Sequence, residues 1–89
     1  MNKKNKKDLK ALAHHLNPVI ITGAQGLTPA LHQELEIALE AHELIKIRIN
    51  AGGRDDRDEM IQHILSKHRA ALIQKIGHVV TIYRESQES

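Results

Sequence analysis

The segment Thr22-Gly23-Ala24-Gln25-Gly26-Leu27-Thr28-Pro29 constrains the fold of this chain more than any other. It joins an apolar run, Val19 to Ile21, to a long helical pattern, so the backbone must pass there from strand to helix. Gly23 and Gly26 stand three apart. Both tolerate positive φ and neither has a Cβ, which lets another backbone come close. Thr28 reads as an N-cap and Pro29 as the first helical residue. The first-turn amides and the positive end of the helix dipole then face the loop, a setting that suits an anion. The dipole supplies only about 0.3–1 kcal/mol at an exposed site. A polyanion needs cations from elsewhere in the chain.

Before the turn, Leu9, Leu12, Ala13 and Leu16 share one face of a helix from about Lys6 to Leu16, with Lys3, Lys7, Lys10 and His14 on the other. Asn17-Pro18 ends it, because the residue before proline is pushed out of the α region. Val19-Ile20-Ile21 does not alternate, which predicts a strand covered on both faces. After the turn, Leu31, Leu35, Ala38, Leu39 and His42 define the inner face of a helix over Pro29 to His42, leaving Gln33, Glu36 and Glu40 in water. In Leu44 to Ile49, three isoleucines alternate with Lys46 and Arg48, so this strand has one buried face and one basic, exposed face.

Ala51-Gly52-Gly53-Arg54 reads as a flexible turn, and Asp56 with Glu59 resembles a capping box. Met60, Ile61, Ile64 and Leu65 then form the inner face of a third helix, to about His68. Ala71 to Ile76 and Val79 to Arg84 are two strands joined by the two-residue hairpin Gly77-His78. Residues 1–5 and 85–89 are expected to be flexible tails.

The order αβαβαββ specifies an α/β fold in a single domain over residues 1–89, with three helices packed on a mixed four-stranded sheet. Two right-handed βαβ crossovers make the first three strands parallel, and the hairpin makes the last antiparallel to the third. The loops at Gly23 to Gly26, Ala51 to Arg54 and Gly77-His78 should then meet at one edge of the sheet. If the first helix runs antiparallel to the first strand, its lysines return to that edge, beside Arg54 and Arg57. The core is aliphatic, since the chain has no Phe, no Trp and one Tyr.

The residue types exclude several chemistries. Without cysteine there is no disulfide framework, thiolate metal site or cysteine nucleophile. Gly26 is followed by Leu27-Thr28 and not by Lys-Ser/Thr, and a third glycine for a dinucleotide fingerprint is missing. The seven histidines lack metal-ligand spacing. His14 and His15 point to different faces, His63 and His68 are five apart, and His42 is expected on an inward face with a local hydrogen bond. No nucleophilic triad has a seat. These readings predict a protein that is not an enzyme, has no cofactor, metal or small-molecule substrate, and does not enter a membrane. With no apolar stretch fit for a signal peptide or a span, a cytoplasmic location is expected.

The net charge is only +2, but the charges are segregated, with lysines at the head and carboxylates gathered around Glu34 to Glu43 and Asp55 to Glu59. Scarce aromatic residues argue against base stacking, and Tyr83 is read as a packing residue as readily as a stacking one. The mode that remains is phosphate and sugar recognition by loop amides, lysine and arginine.

Several motifs together are similar to those of the chloroplast RNA splicing and ribosome maturation domain, and above all to its stand-alone bacterial YhbY-type form. They are Pro18 to Gly23, Gly26-Leu27-Thr28, Ala38-Leu39-Glu40, His42 to Ile47, Ile76-Gly77 and Tyr83-Arg84. The resemblance spans nearly the whole chain and is weakest over Asn50 to Asp58. It implies a sheet like that of the initiation-factor C-terminal domain and a GxxG loop comparable to that of KH domains. It further implies RNA as partner, with bacterial members linked to precursors of the large ribosomal subunit and plant relatives to group II intron splicing. The loop of that family falls here on Gly23, Ala24, Gln25 and Gly26. Ala24 and Gln25 are uncharged, so positive charge must come from elsewhere. The RNA contacts expected are these four residues, Thr28, Lys3, Lys7, Lys10, Lys46, Arg48 and Arg54, on ribosomal RNA during large-subunit assembly. Two alternatives stay open: a protein-interaction adaptor that uses its acidic helices, and a small enzyme acting on a phosphoryl ligand.

Overall fold

The computed structural model describes residues 5–23, 26–50 and 52–85. The chain forms α1 (Lys6–Ala13), β1 (Ile20–Thr22), α2 (Pro29–His42), β2 (Leu44–Ile49), α3 (Arg54–His68), β3 (Ala71–Ile76) and β4 (Val79–Tyr83). The αβαβαββ order and the mixed four-stranded sheet are those the sequence predicts. Most of the two expected tails, residues 1–4 and 86–89, lies outside the described residues. Asn5 does not belong to a tail, because its side chain accepts the Asp8 N–H at 2.8 Å and caps α1.

The sheet order is β1-β2-β4-β3, with β1 parallel to β2 and β4 antiparallel to both of its neighbours. The hairpin folds β4 inward and leaves β3 at the edge. Burial explains this, since Val80, Thr81 and Ile82 are all buried in β4 while Ala71, Lys75 and Ile76 of β3 are exposed. The central place goes to the strand with more to bury.

Alternation along β2 divides the side chains between two layers. Ile45, Ile47 and Ile49 face α2 and α3 and form the main core with Ile20, Leu31, Leu35, Leu39, Ile61, Ile64, Val80 and Ile82. Each fully buried Leu or Ile contributes roughly 1.5–3 kcal/mol relative to exposure. On the other face, Leu9 and Ala13 of α1 cover Leu44 and Ile73, with Leu16 and Tyr83 alongside. Tyr83 is thus a packing residue, its hydroxyl pKa raised by burial and by the nearby Glu43 and Glu85 charges. A bulge between Leu72 and Gln74 lets Leu72 join the main core while Ile73 reaches α1.

Several local expectations are corrected. The run Val19 to Ile21 is not covered on both faces: β1 is an edge strand, with Ile20 and Thr22 buried and Val19 and Ile21 exposed at 55% and 62%. No described helix lies over its outer face, because α1 packs on β2 and β3 instead. The first helix ends at Ala13, short of Leu16, and Leu12 is 44% exposed. His42 is exposed at the end of α2, and Glu36 is only half-buried. The third helix begins earlier than expected, with Gly53 as N-cap and Arg54 in its first turn. Asp56 sits inside the helix and accepts the Gly53 N–H at 3.3 Å, and Gly53 has no side chain to return the bond.

The two layers predict opposite responses to truncation. Leu39→Ala should cost about 2–5 kcal/mol in urea unfolding, because the fully buried side chain leaves a cavity. Ile21→Ala should stay within about 0.5 kcal/mol on the open face.

Candidate nucleic-acid interface

The glycine turn is held from both sides. On the strand side, Asn50 N–H donates to the Thr22 carbonyl at 3.2 Å, tying the end of β1 to the end of β2. The neighbouring strand end is tied in turn: Ile49 N–H donates to the His78 carbonyl at 2.7 Å, and His78 Nδ1 donates to the Ile49 carbonyl at 3.0 Å. The loops after β1, β2 and β3 therefore meet at one edge of the sheet, as parallel strand ends require. Ala51 lies outside the described residues.

Within the turn, Gly26 N–H donates to the Gly23 carbonyl at 3.0 Å. Gly26 has φ +70°, which L side chains rarely adopt, whereas Gly23 lies outside that region. A Cβ on either glycine would find no described atom within 4 Å. Both positions are therefore open to an approaching backbone. Gly52 differs, since at φ +55° a side chain there would run into Asp56.

The start of α2 is largely satisfied by its own chain. Thr28 Oγ1 accepts the Leu31 N–H at 3.1 Å, the Thr28 carbonyl accepts the His32 N–H at 3.0 Å, and Pro29 has no N–H. Ala30 carries the first-turn amide that remains. Among the described residues, the helix start thus offers few free donors. The buried Thr22 hydroxyl, just before Gly23, has no hydrogen-bond partner among the described residues.

The expected contact residues do not all gather here. Gly23, Gly26 and Thr28 form the turn, and Ala24, Gln25 and Lys3 lie outside the described residues. Arg48 pairs with Ile21 across the parallel ladder, one residue back from the turn, and Lys46 stands two residues earlier in β2, farther from the turn. Both project from the sheet face that Ile45, Ile47 and Ile49 do not use. Arg54 is exposed in the first turn of α3. Its charge and that of Arg57 help hold the Asp58 carboxyl below its usual range, after the dominant hydrogen bond from Lys75. Arg57 also donates to the Gly52 carbonyl at 3.4 Å. Lys7 and Lys10 are exposed on α1. That helix lies across the sheet with Leu9 and Ala13 against Leu44, Ile73 and Tyr83, near where β2 begins and β4 ends. Its strand contacts are chiefly with β2 and β3 and not with β1, so it does not take the place beside β1 that would set its lysines at the glycine edge.

A second polar cluster went unread in the sequence. His68 is 2% exposed, on the same stripe of α3 as Ile61 and Ile64. Its Nδ1 lies 2.6 Å from Glu36 Oε2, and its Nε2 lies 2.8 Å from His32 Nδ1. Arg84 closes the chain of contacts by donating to both Glu36 oxygens at 3.0 and 2.9 Å, to the His68 carbonyl at 3.2 Å and to Glu40 at 3.2 Å. Spacing alone could have found His68, which follows Ile61 by seven residues and Ile64 by four. Glu36 and Arg84, 48 apart in sequence, had no such signal. The arrangement is no metal site: among the described residues no group of three or more His, Cys, Asp or Glu could hold an ion. Nor is any described helix long and apolar enough to cross a membrane.

Residues 1–84 match the CRS1 / YhbY (CRM) domain. An RNA-binding protein from Haemophilus influenzae is 43% identical over 89 residues, covering all of this chain and 90% of that one. A probable RNA-binding protein from Pseudomonas aeruginosa is 38% identical, covering 97% of this chain and 83% of its own. The solution structure of a hypothetical protein from Staphylococcus aureus matches with a TM-score of 0.80 at 34% identity, covering 93% of this chain and 86% of that one.

The His68 cluster sets an acid limit on stability. Hydrogen bonds from Arg84 and His68 lower the Glu36 pKa from its ordinary 4.5, and burial, with the nearby His68, Lys67 and His63 charges, lowers that of His32 from 6.5. Both groups bind protons more tightly when unfolded, so their stabilisation is complete above those values and lost as pH falls. Urea unfolding should show stability falling below about pH 6.5 and again below about pH 4.5, with Glu36→Gln shrinking the second decline to the part that Asp58 contributes.

Proposed function

The chain belongs to the CRS1 / YhbY (CRM) domain family, and from that premise we propose that it is a non-catalytic RNA-binding protein. Its target is ribosomal RNA in precursors of the large ribosomal subunit, whose assembly it assists in the cytoplasm. The observation that carries this reading is the open space over Gly23 and Gly26, at an edge where three loops meet. A ribose-phosphate backbone can approach the main chain at these glycines with no side chain of the described residues in the way. The Ala30 amide receives a phosphate oxygen, and Arg54, near the same edge, adds charge attraction. Lys7 and Lys10, exposed on α1, act at longer range. Contacts of this kind fix the register of a nucleic acid and read little sequence.

An adaptor working through its acidic helices is less well supported. Glu36 and Glu40 already pair with Arg84 and His68 within the chain, which partly neutralises the charge they could offer a partner. The phosphoryl-ligand enzyme has no support beyond the helix start, where Thr28 already takes up two of the amides.

Gly26→Asp tests the reading, since Asp tolerates positive φ better than most residues and the space around Gly26 is free. The variant should stay folded while losing about 1–3 kcal/mol in urea unfolding to the strain of a side chain at φ +70°, and lose about tenfold or more in affinity for large-subunit ribosomal RNA fragments, measured by fluorescence anisotropy. Removing one phosphate neutralisation should flatten the salt dependence by about 0.7–0.9. Unchanged affinity would remove the glycine turn from the interface.

A further inference from the structure

α1 covers one end of the second sheet face and leaves the rest without a helix, with Val19, Ile21, Arg48 and Ile76 exposed, Lys46, Gln74 and Val79 half-buried, and Thr81 buried between its neighbours. Two rows of side chains cross that remainder, read directly from the strand register. The outer row is Ile21, Arg48, Val79 and Ile76, and the inner row runs from Val19 beside Lys46 through Thr81 to Gln74. Val19, Ile21 and Ile76 are 55%, 62% and 63% exposed, three of the five large hydrophobic residues most exposed among those described. Neither row contains a carboxylate. Its two cations stand together on β2, and His14 from the end of α1 lines the same hollow as Lys46, Gln74, Ile76, Val79 and Thr81.

We propose that this strip is the docking surface for an acidic amphipathic helix of a partner protein, laid beside α1 to complete the layer. The dimensions suit one helix. Rows two residues apart are about 7 Å apart, and four strands span about 14 Å, against a helix diameter of about 10 Å and roughly ten residues of its length. Charge complementarity selects the occupant. The helix places glutamates or aspartates over Lys46 and Arg48, and aliphatic residues over Ile21 on one side and Val79 and Ile76 on the other. RNA matches this face poorly, because three of the four outer-row residues are aliphatic and none is aromatic. A second copy also fits poorly: on the outer face of α2, exposed Ile37 does lie near Glu40, but Glu40 is held by Arg84, and such a head-to-tail contact does not close. Lys46 and Arg48, grouped with the RNA contacts on sequence grounds, thus take a different partner. The assignment does not rest on the RNA reading.

The probe is a fluorescein-labelled helical peptide of Leu, Ala and Glu, with its leucines in one stripe flanked by glutamates, and the same peptide with Lys in place of Glu. Anisotropy should show the Glu form binding about tenfold or more tighter than the Lys form. Amide NMR shifts should be confined to the two rows and the end of α1. The double variants Ile21→Ser with Ile76→Ser and Lys46→Gln with Arg48→Gln should each weaken binding about fivefold or more. The salt slope for ribosomal RNA should be unchanged in the second. Any of four results overturns the proposal: no binding of the Glu form at millimolar peptide, shifts that map elsewhere, self-association abolished by Ile21→Ser, or an RNA salt slope that drops by about 0.7–0.9 for each cation removed. Failure of the RNA reading would appear separately, as Gly26→Asp without effect on RNA while peptide binding persists.

Discussion

Ile45, Ile47 and Ile49 alternate with Lys46 and Arg48 along a strand that lies between β1 and β4, and the molecule is built around that alternation. Because side chains on a strand point to opposite faces in turn, the three isoleucines commit one face to α2 and α3 and the two cations commit the other to solvent. A slip of one residue would exchange the two sets, placing Lys46 and Arg48 in the aliphatic core. Such burial of unpaired charge is far costlier than any surface contact could offset. The register of β2 against β1 and β4 is therefore strongly fixed, and with it the ends of the strands from which the loops at the glycine edge depart.

The glycine turn inherits its position from this register. The Asn50 amide holds Thr22, and β1 stops where the core-facing Ile20 and Thr22 have been used. Beyond Thr22 the backbone makes a turn closed on itself by the Gly23 carbonyl and then a helix start closed by Thr28. A helix N-terminus in an α/β protein often serves as an anion receptor because its amides are unsatisfied. Here Pro29 and Thr28 leave little of that capacity, and what the proposed contact would use instead is the free space that the described residues leave over two glycines. Close approach of backbone to backbone is a matter of space, and uncharged residues at Ala24 and Gln25 are consistent with it.

His68 performs a different kind of work. It occupies a core position of α3 yet is polar, and its burial is tolerable because both ring nitrogens have partners, Glu36 and His32. Arg84, bound to the same carboxylate and to the His68 carbonyl, brings the chain after β4 onto α2 and α3. The cluster thus joins three elements distant in sequence. It also makes the packing of α2 and α3 sensitive to protons, since two ring nitrogens 2.8 Å apart cannot both carry a hydrogen directed at the other.

Local chemistry was legible in the sequence. Thr28 and Pro29 mark the start of α2, its extent to His42 follows from a 3.6-residue period, β2 follows from a period of two, and Gly77-His78 marks the hairpin. Each depends on residues within a few positions of one another, which is the range over which caps, turns and amphipathic patterns act. Other features were settled only when the elements came together. An apolar run does not reveal that β1 lies at an edge, and a hairpin does not reveal which of its strands turns inward. A histidine at the end of α2 looked like the buried one, while the histidine actually enclosed was at the end of α3. Lysines on α1 could be placed near the glycine turn only by assuming that the helix packs along β1, and it packs on β2 and β3 instead. All four turn on which surface covers which. That is decided by total burial across the sheet and by pairs as far apart as Glu36 and Arg84, and no local pattern encodes it.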